Sequence, residues 1–341
     1  MVDISREDDL RRYLKECGIL TDLNEGRIHY FGGGVSGVTA MAKLQDGREL
    51  IIKQACAKLN VAANWECDPK RIRIEHEALI VYRNIVPDCV PAPISFDNRN
   101  YVMIREAVPE NWRMWKTDLL EGKLDYVVAE KAATALAKVH NETAGSAAVE
   151  KQFGDRKIFY DLRVEPYVEY VSNRYPEIRE KGMKLSHKLM SEQIALIHGD
   201  YSPKNILVYG DQICILDMEV ATYGHPCFDL AFFTNHFLLK AVYRKDLADE
   251  YLKMLRCILD TYFKQQHYMD PTVLEHDTVQ TLAFLFLARV DGKSPVEYLK
   301  EKTDQEIVRM AALKMIRNDV RSYDQVIAIL KEFIAEGEGN L

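Results

Sequence analysis

The chain has 341 residues, long enough for two lobes with substantial cores. Its 45 basic against 52 acidic side chains leave a formal charge of −7, which disfavours a basic nucleic-acid groove and is compatible with a cationic ligand, although net charge chiefly governs solubility. Seven cysteines without a C-x-x-C pair indicate neither a disulfide framework nor a zinc site, and an acidic start (MVDISREDD) with apolar runs too short to cross a bilayer predicts a cytoplasmic chain with no membrane partner.

Residues 6–17 place Leu10, Tyr13, Leu14 and Cys17 at helical spacing, giving an amphipathic helix. A strand over 28–31 leads into Gly32-Gly33-Gly34-Val35-Ser36-Gly37, through which a formal G-x-G-x-x-G can be drawn. Alone, such a run is a flexible turn. The residues downstream decide between two phosphate-binding uses. A dinucleotide fold needs a helix after the glycines. Here 38–44 is strand-like, Asp46-Gly47 is a hairpin turn and 49–54 is a second strand. The run therefore reads as a loop between antiparallel strands, a roof over nucleotide phosphates, with Gly32, Gly33, Gly34 and Ser36 as binding candidates.

Lys53 ends the second of these strands, where its ammonium would meet the α- and β-phosphates and a helix glutamate. A surface lysine is the competing reading, and the glycine loop upstream favours the phosphate role. The helix over 71–85 offers two partners. Glu75 shares a face with Ile72, Leu79 and Tyr82, whereas Glu77 turns away, so Glu75 is preferred and Glu77 stays open.

A proline-broken connection over 87–93 precedes strands at 94–96 and 101–105. Residues 106–109 then form a hinge whose backbone groups, at Glu106 and Val108, would hold an adenine ring. Trp112 and Trp115 either frame that pocket or simply pack. A long helix over 125–140 buries Val128, Ala132, Ala135, Leu136 and Val139, with His140 as a cap or a packed imidazole. Further helices are expected over 156–170 and 176–190.

A short apolar strand over 194–197 runs into His198-Gly199-Asp200, with Asn205 five residues later, and a second strand over 213–216 ends on Asp217. Asp200 can take the proton of an attacking hydroxyl and aim the oxygen at a γ-phosphorus. Asn205 offers a neutral oxygen and Asp217 a charged one, which suits Mg²⁺. Asp and Asn are also common turn residues, and it is the three together, held by two strands, that favour the chemistry. Ser202 is open between a phosphate donor and a turn serine before Pro203.

The segments HGDYSPKN (198–205), LDMEVA (216–221) and FDLA (228–231) resemble the aminoglycoside phosphotransferase and choline kinase family. The resemblance implies an α+β, bilobal, protein-kinase-like fold, with a small antiparallel-sheet N-lobe over 1–105, a hinge over 106–110 and a mainly helical C-lobe over 111–341. It implies ATP and Mg²⁺ as cofactors, Asp200 as catalytic base, Asn205 and Asp217 as metal ligands, and Asp229 as a structural support of the catalytic loop. The partner it implies is a small-molecule hydroxyl acceptor, aminoglycoside-, choline- or sugar-like.

Only eleven residues separate Asp217 from Asp229, and neither a D-F-G nor an A-P-E signature is present. No long activation segment fits, which disfavours a protein substrate. A catalytically silent nucleotide-binding protein is the other alternative. Beyond Asp229 the chain reads as helical almost to its end. Phe232, Phe233, His236, Phe237 and Lys240 form one core stripe, and Tyr323, Val326, Ile327, Leu330, Phe333 and Ile334 another. The charged turn over 289–295 borders the acceptor or is solvated, Glu219 holds the metal site or faces the acceptor, and His225 is ambiguous. Oligomeric state is not legible.

Overall fold

The computed structural model describes residues 2–32, 37–55 and 68–339, which fall into two compact units. Unit 1 comprises Met1–Trp112 with Leu216–Glu219; unit 2 comprises Arg113–Ile215 and Val220–Leu341.

Unit 1 opens with α1 (Glu7–Glu16), then β1 (Arg27–Tyr30), β2 (Gly37–Lys43), β3 (Glu49–Ala55), α2 (Arg71–Ile85), β4 (Pro93–Asp97) and β5 (Val102–Glu106). The strands form one antiparallel sheet in the order β1-β2-β3-β5-β4. Gly47, at φ +86°, makes the β2–β3 hairpin, a left-handed turn that glycine adopts without steric cost. Leu10, Tyr13 and Leu14 of α1 bury against Ala40, Leu50, Ile52 and Ile104, closing one face of the sheet. On α2 the buried side chains are Arg71, Ile72, Glu75, Ala78, Leu79 and Tyr82, and the helix packs on β3, β4 and β5. Register matters for the site. Lys53 pairs with Thr39 and Met103, which fixes the face to which its side chain is directed.

Unit 2 is mostly helical. It runs β6 (Arg113–Met114), α3 (Trp115–Leu120), α4 (Tyr126–Thr143), α5 (Ala147–Phe153), α6 (Lys157–Phe159), a wide π-type segment (Tyr160–Glu169), α7 (Tyr170–Arg174) and α8 (Arg179–Ser191). Short strands come next: β7 (Ala195–Ile197), β8 (Ile206–Tyr209), β9 (Gln212–Ile215) and β10 (Thr222–Gly224). The helices α9 (Cys227–Tyr243), α10 (Ala248–Gln265), α11 (Pro271–Asp291), α12 (Lys302–Arg317) and α13 (Tyr323–Gly339) complete it. Asp125 caps α4 by accepting from the N–H groups of Val127 and Val128, and Asp270 with Pro271 starts α11 in the same way. α9 is buried from Cys227 to Val242, enclosed by α10, α11 and α12. Trp115 packs on Phe233 and Phe237, so it serves as core. No helix among the described residues is long and apolar enough to cross a membrane.

Two local expectations need correction. The stretch expected as a plain helix over 156–170 is widened to i→i+5 geometry from Tyr160, because Pro166 inside it has no N–H and its ring crowds the preceding turn. Besides the two strands expected around the catalytic block, β8 pairs with β9 and β10 pairs with β7. Three- and four-residue strands leave too little alternation for the sequence to reveal them.

Candidate active site

In unit 1, Lys53 on β3 reaches two carboxylates. Its Nζ donates to Oε2 of Glu75 at 2.6 Å and to Oδ1 of Asp217 at 2.7 Å. Burial works against the ammonium, but Asp217, Glu75 and Glu219 hold its pKa above the usual lysine value. Glu77 pairs instead with Arg73 one turn before it, at 3.3 Å. Asp217 comes just after β9 with φ +67°, a left-handed conformation rare for residues other than glycine and tolerated by Asp.

Glu219 lies beside this group. Fully buried Arg71 donates through Nε to Oε2 of Glu219 at 3.1 Å. Burial, then the charge of Asp217, push the Glu219 carboxyl up to about 7 against the pull of Lys53 and Arg71. One oxygen each from Glu75, Asp217 and Glu219 lie within 4.8 Å of one another, a hard donor set that fits a divalent cation such as Mg²⁺. Gly32 is described and exposed; Gly33, Gly34 and Ser36 lie outside the described residues. Glu106 is exposed, and its N–H donates to the Ala92 carbonyl at 2.9 Å. With Leu50, Ile94, Ala107 and Pro109 it lines an open depression of about 690 Å³. Val108 is half-buried two residues further on.

In unit 2 the loop after β7 carries Asp200. Asp229, wholly buried in the first turn of α9, accepts from the backbone N–H groups of His198 at 2.6 Å and Gly199 at 2.8 Å. His140 of α4 stands 3.3 Å from the same carboxylate and 2.6 Å from the hydroxyl of Tyr262, so it is a packed imidazole. Gly199 has φ +74°, and a Cβ there would lie 2.7 Å from the Val220 carbonyl oxygen. The loop is thus shaped by its backbone and tied down by one buried carboxylate.

Asp200 itself is gripped from two sides. Asn205 donates from Nδ2 to its Oδ2 at 2.9 Å and to its carbonyl at 3.0 Å, which leaves the Asn205 side-chain oxygen as the atom able to meet a cation. Arg163, from the π-type segment, places Nη2 3.1 Å from Oδ2 and donates from Nε to the Gly199 carbonyl at 2.5 Å. Lys204 is 3.6 Å from the same oxygen. The sequence did not point to Arg163. It lies 37 residues before Asp200 in a stretch with no motif, and only the bent path of the π-type segment brings it there.

His225, Glu192 and Asp277 form a second possible cation group in unit 2. The chemistry of the ring argues against it. Its Nδ1 accepts the Cys227 N–H at 3.1 Å, so Nε2 carries a proton and presents it, 3.3 Å and 3.4 Å from Asp277 and Glu192, where a metal would need a lone pair. Lys188 also donates to Asp277 at 2.7 Å. The group is an ion-pair lattice between α8, α11 and the chain before α9.

Known proteins share both the sequence pattern and the fold. The sequence model of the family described as "Phosphotransferase enzyme family" matches residues 68–264. A methylthioribose kinase of Bacillus cereus is 29% identical over 69% of this chain and 66% of its own length. Another, from a second strain of the same species, is 26% identical over 86% of each. Among solved structures, an ethanolamine kinase of Plasmodium vivax superposes with a TM-score of 0.54 at 13% identity, covering 97% of this chain and 89% of that one. An amicoumacin kinase gives 0.53 at 13%, covering 99% and 95%. A fructosamine-3-kinase homologue of Thermobifida fusca gives 0.51 at 19%, covering 87% and 94%. At such identities these structures speak to the fold alone, which is the protein-kinase-like fold of small-molecule kinases.

Proposed function

We propose that this chain, which belongs to the phosphotransferase enzyme family, transfers the γ-phosphate of ATP to a hydroxyl of a small, sugar-like acceptor. The observation that carries the reading is the lysine held by two carboxylates, Lys53 with Glu75 and Asp217, whose partners come from 22 and 164 residues away. A buried ammonium so anchored is the group that orients the phosphates of a nucleotide. The likeness to methylthioribose kinases, which act on a sugar thioether by their name, favours a sugar-like acceptor over choline or an aminoglycoside.

In unit 2, Asp200 is the proposed base. Arg163 and Asn205 hold one of its oxygens, so the carboxylate is oriented before an acceptor hydroxyl arrives. In unit 1, Asp217 is the proposed charged ligand of Mg²⁺, with Glu75 and Glu219 beside it; in unit 2 the proposed ligand atom is the side-chain oxygen of Asn205. When bound, the ion would neutralise charge on the phosphates. Gly32, Gly33, Gly34 and Ser36 are assigned to the phosphates, and the backbone at Glu106 and Val108 to adenine.

The test is coupled ADP release with MgATP and a panel of pentoses, thiopentoses, amino alcohols and aminoglycosides. A sugar-dependent signal is expected, and Lys53→Ala should raise the KM for ATP while the circular dichroism spectrum stays unchanged. Undiminished use of ATP by that variant would remove Lys53 from the site.

A further inference from the structure

We propose that the acceptor carries an oxyanion, a phosphate ester or a carboxylate, bound by a basic cluster that runs from Asp200 into the helices of unit 2; the inference rests on the kinase reading above. Arg163, 3.1 Å from Asp200, lies over the Phe232 ring at 5.7 Å. Phe232 meets Tyr167 edge-on at 5.8 Å. Arg289 in turn lies over Tyr167 at 5.8 Å and donates to its hydroxyl at 3.0 Å. On the other flank Phe232 meets His236 at 5.6 Å, and Lys240, one helical turn on, donates to the His236 carbonyl at 3.3 Å. Lys240 and Lys116 both approach the Tyr298 ring, at 5.5 Å and 6.0 Å.

The charges in this cluster do not balance. Lys240 is wholly buried, yet among the described residues neither it nor Arg289 makes an ion pair. Among the described residues the Arg289 guanidinium bonds to the Tyr167 hydroxyl and to Ser294, and its buried Nε has no hydrogen-bond partner. Glu297 is paired with Lys116. Wholly buried Lys240 and half-buried Arg289 have no ion-pair partner of their own among the described residues, and together with Arg163 and Lys204, which flank Asp200, they form a basic neighbourhood that an anion from outside would balance.

The titratable groups here report the same field. Burial, then Lys116 and Arg289, push Lys240 down to about 7. Burial would raise the Tyr167 hydroxyl, but Arg289 and Arg163 pull it below its ordinary value. Burial, then Lys240, Arg289, Lys204 and Lys116, drive His236 far down. A cationic aminoglycoside or choline would meet like charge in such a place. Arg163, Arg289, Lys116 and Lys204 are each partly exposed and would touch the oxyanion; an anion bound among them would favour the protonated form of Lys240.

Two measurements test this. In the first, inorganic sulfate is added to the nucleotide-free protein and the Tm is followed. A rise is expected that survives Lys53→Ala and shrinks in both Arg289→Gln and Lys240→Met. In the second, ADP release is compared for a pentose, its 5-phosphate and its aldonic acid, which also separates the two sources of the oxyanion. At least one anionic acceptor should exceed the neutral pentose by about 10- to 100-fold in kcat/KM, the scale of a charged hydrogen bond, and Arg289→Gln should erase that advantage through KM. Equal or better use of neutral sugars, or a sulfate effect lost only in Lys53→Ala, overturns the inference and leaves the kinase reading standing. A variant-sensitive sulfate effect with no ADP from any acceptor overturns the kinase reading and leaves an anion site.

Discussion

Asp200 and Asp217 carry the same functional group in different surroundings, and their substitutions should fail differently. Asp200→Asn keeps the size and the contacts with Arg163 and Asn205 within reach but loses the proton acceptor. Nucleotide binding should survive while turnover falls roughly 10²-fold. Asp217→Asn removes a charged oxygen from beside Lys53 and Glu219, so Mg²⁺-dependent nucleotide binding should fall as well. Calorimetry with MgATP beside ADP production separates the two. Normal turnover in Asp200→Asn removes the base, and unchanged Mg²⁺ dependence in Asp217→Asn removes the ligand. Lys240 allows a prediction in pH. Its folded pKa of about 7 lies below the roughly 10.4 of an unfolded lysine. Between those values the unfolded chain holds the proton and the native chain releases it, so stability rises with pH across this window. The groups facing Lys240 are Lys116, Arg289, Glu297 and the His236 carbonyl. Lys240→Met should therefore be more stable than wild type near pH 7, with the gain shrinking towards pH 10. A loss of stability at pH 7 would mean that the ammonium is a structural asset. Neither Arg163 nor Lys240 could be recognised from sequence. The first has no motif, and the second completes the helical stripe of Phe232, Phe233, His236 and Phe237, where a long aliphatic stem reads as core.

At the scale of elements, the catalytic loop is positioned by helix α9. Asp229 sits in its first turn and accepts two loop N–H groups, with His140 of α4 against the same carboxylate. Asp229→Asn replaces one acceptor oxygen with a donor that faces an N–H. The expected cost is about 2 kcal/mol in urea unfolding at unchanged m value, together with reduced turnover. Wild-type stability in this variant would show that the loop holds its shape without the carboxylate. Such elements were legible where local chemistry is strict. Asp46-Gly47 announces the β2–β3 hairpin, and the spacing of Ile72, Glu75, Leu79 and Tyr82 gives the face of α2 that meets Lys53. The π-type segment was not legible, because Pro166 says that a regular helix cannot continue but not what replaces it. β8 and β10 were missed because they are held by their partners β9 and β7, not by alternation of their own.

At the scale of the whole molecule, net charge proved a poor guide to the site. The chain carries −7, compatible with a cationic ligand, yet in unit 2 Arg163 and Lys204 flank Asp200, and Lys116, Lys204, Lys240 and Arg289 act together on His236. A sum over the surface does not report the sign of one buried neighbourhood. The fold class was readable because the HGDYSPKN block ties chemistry to a particular strand-loop-strand frame, while the proposed acceptor contacts are side chains of α3, α9 and α11, which carry no motif. The central claim is phosphoryl transfer to a small hydroxyl, and product analysis tests it most directly. Wild-type protein is incubated with MgATP and the anionic and neutral pentoses, and the mixture is followed by ³¹P NMR and mass spectrometry. ADP and a phosphorylated sugar should appear in equal amounts, and both should form roughly 10²-fold more slowly in Asp200→Asn. Intact ATP with every acceptor, or ADP accompanied only by inorganic phosphate, would contradict the account.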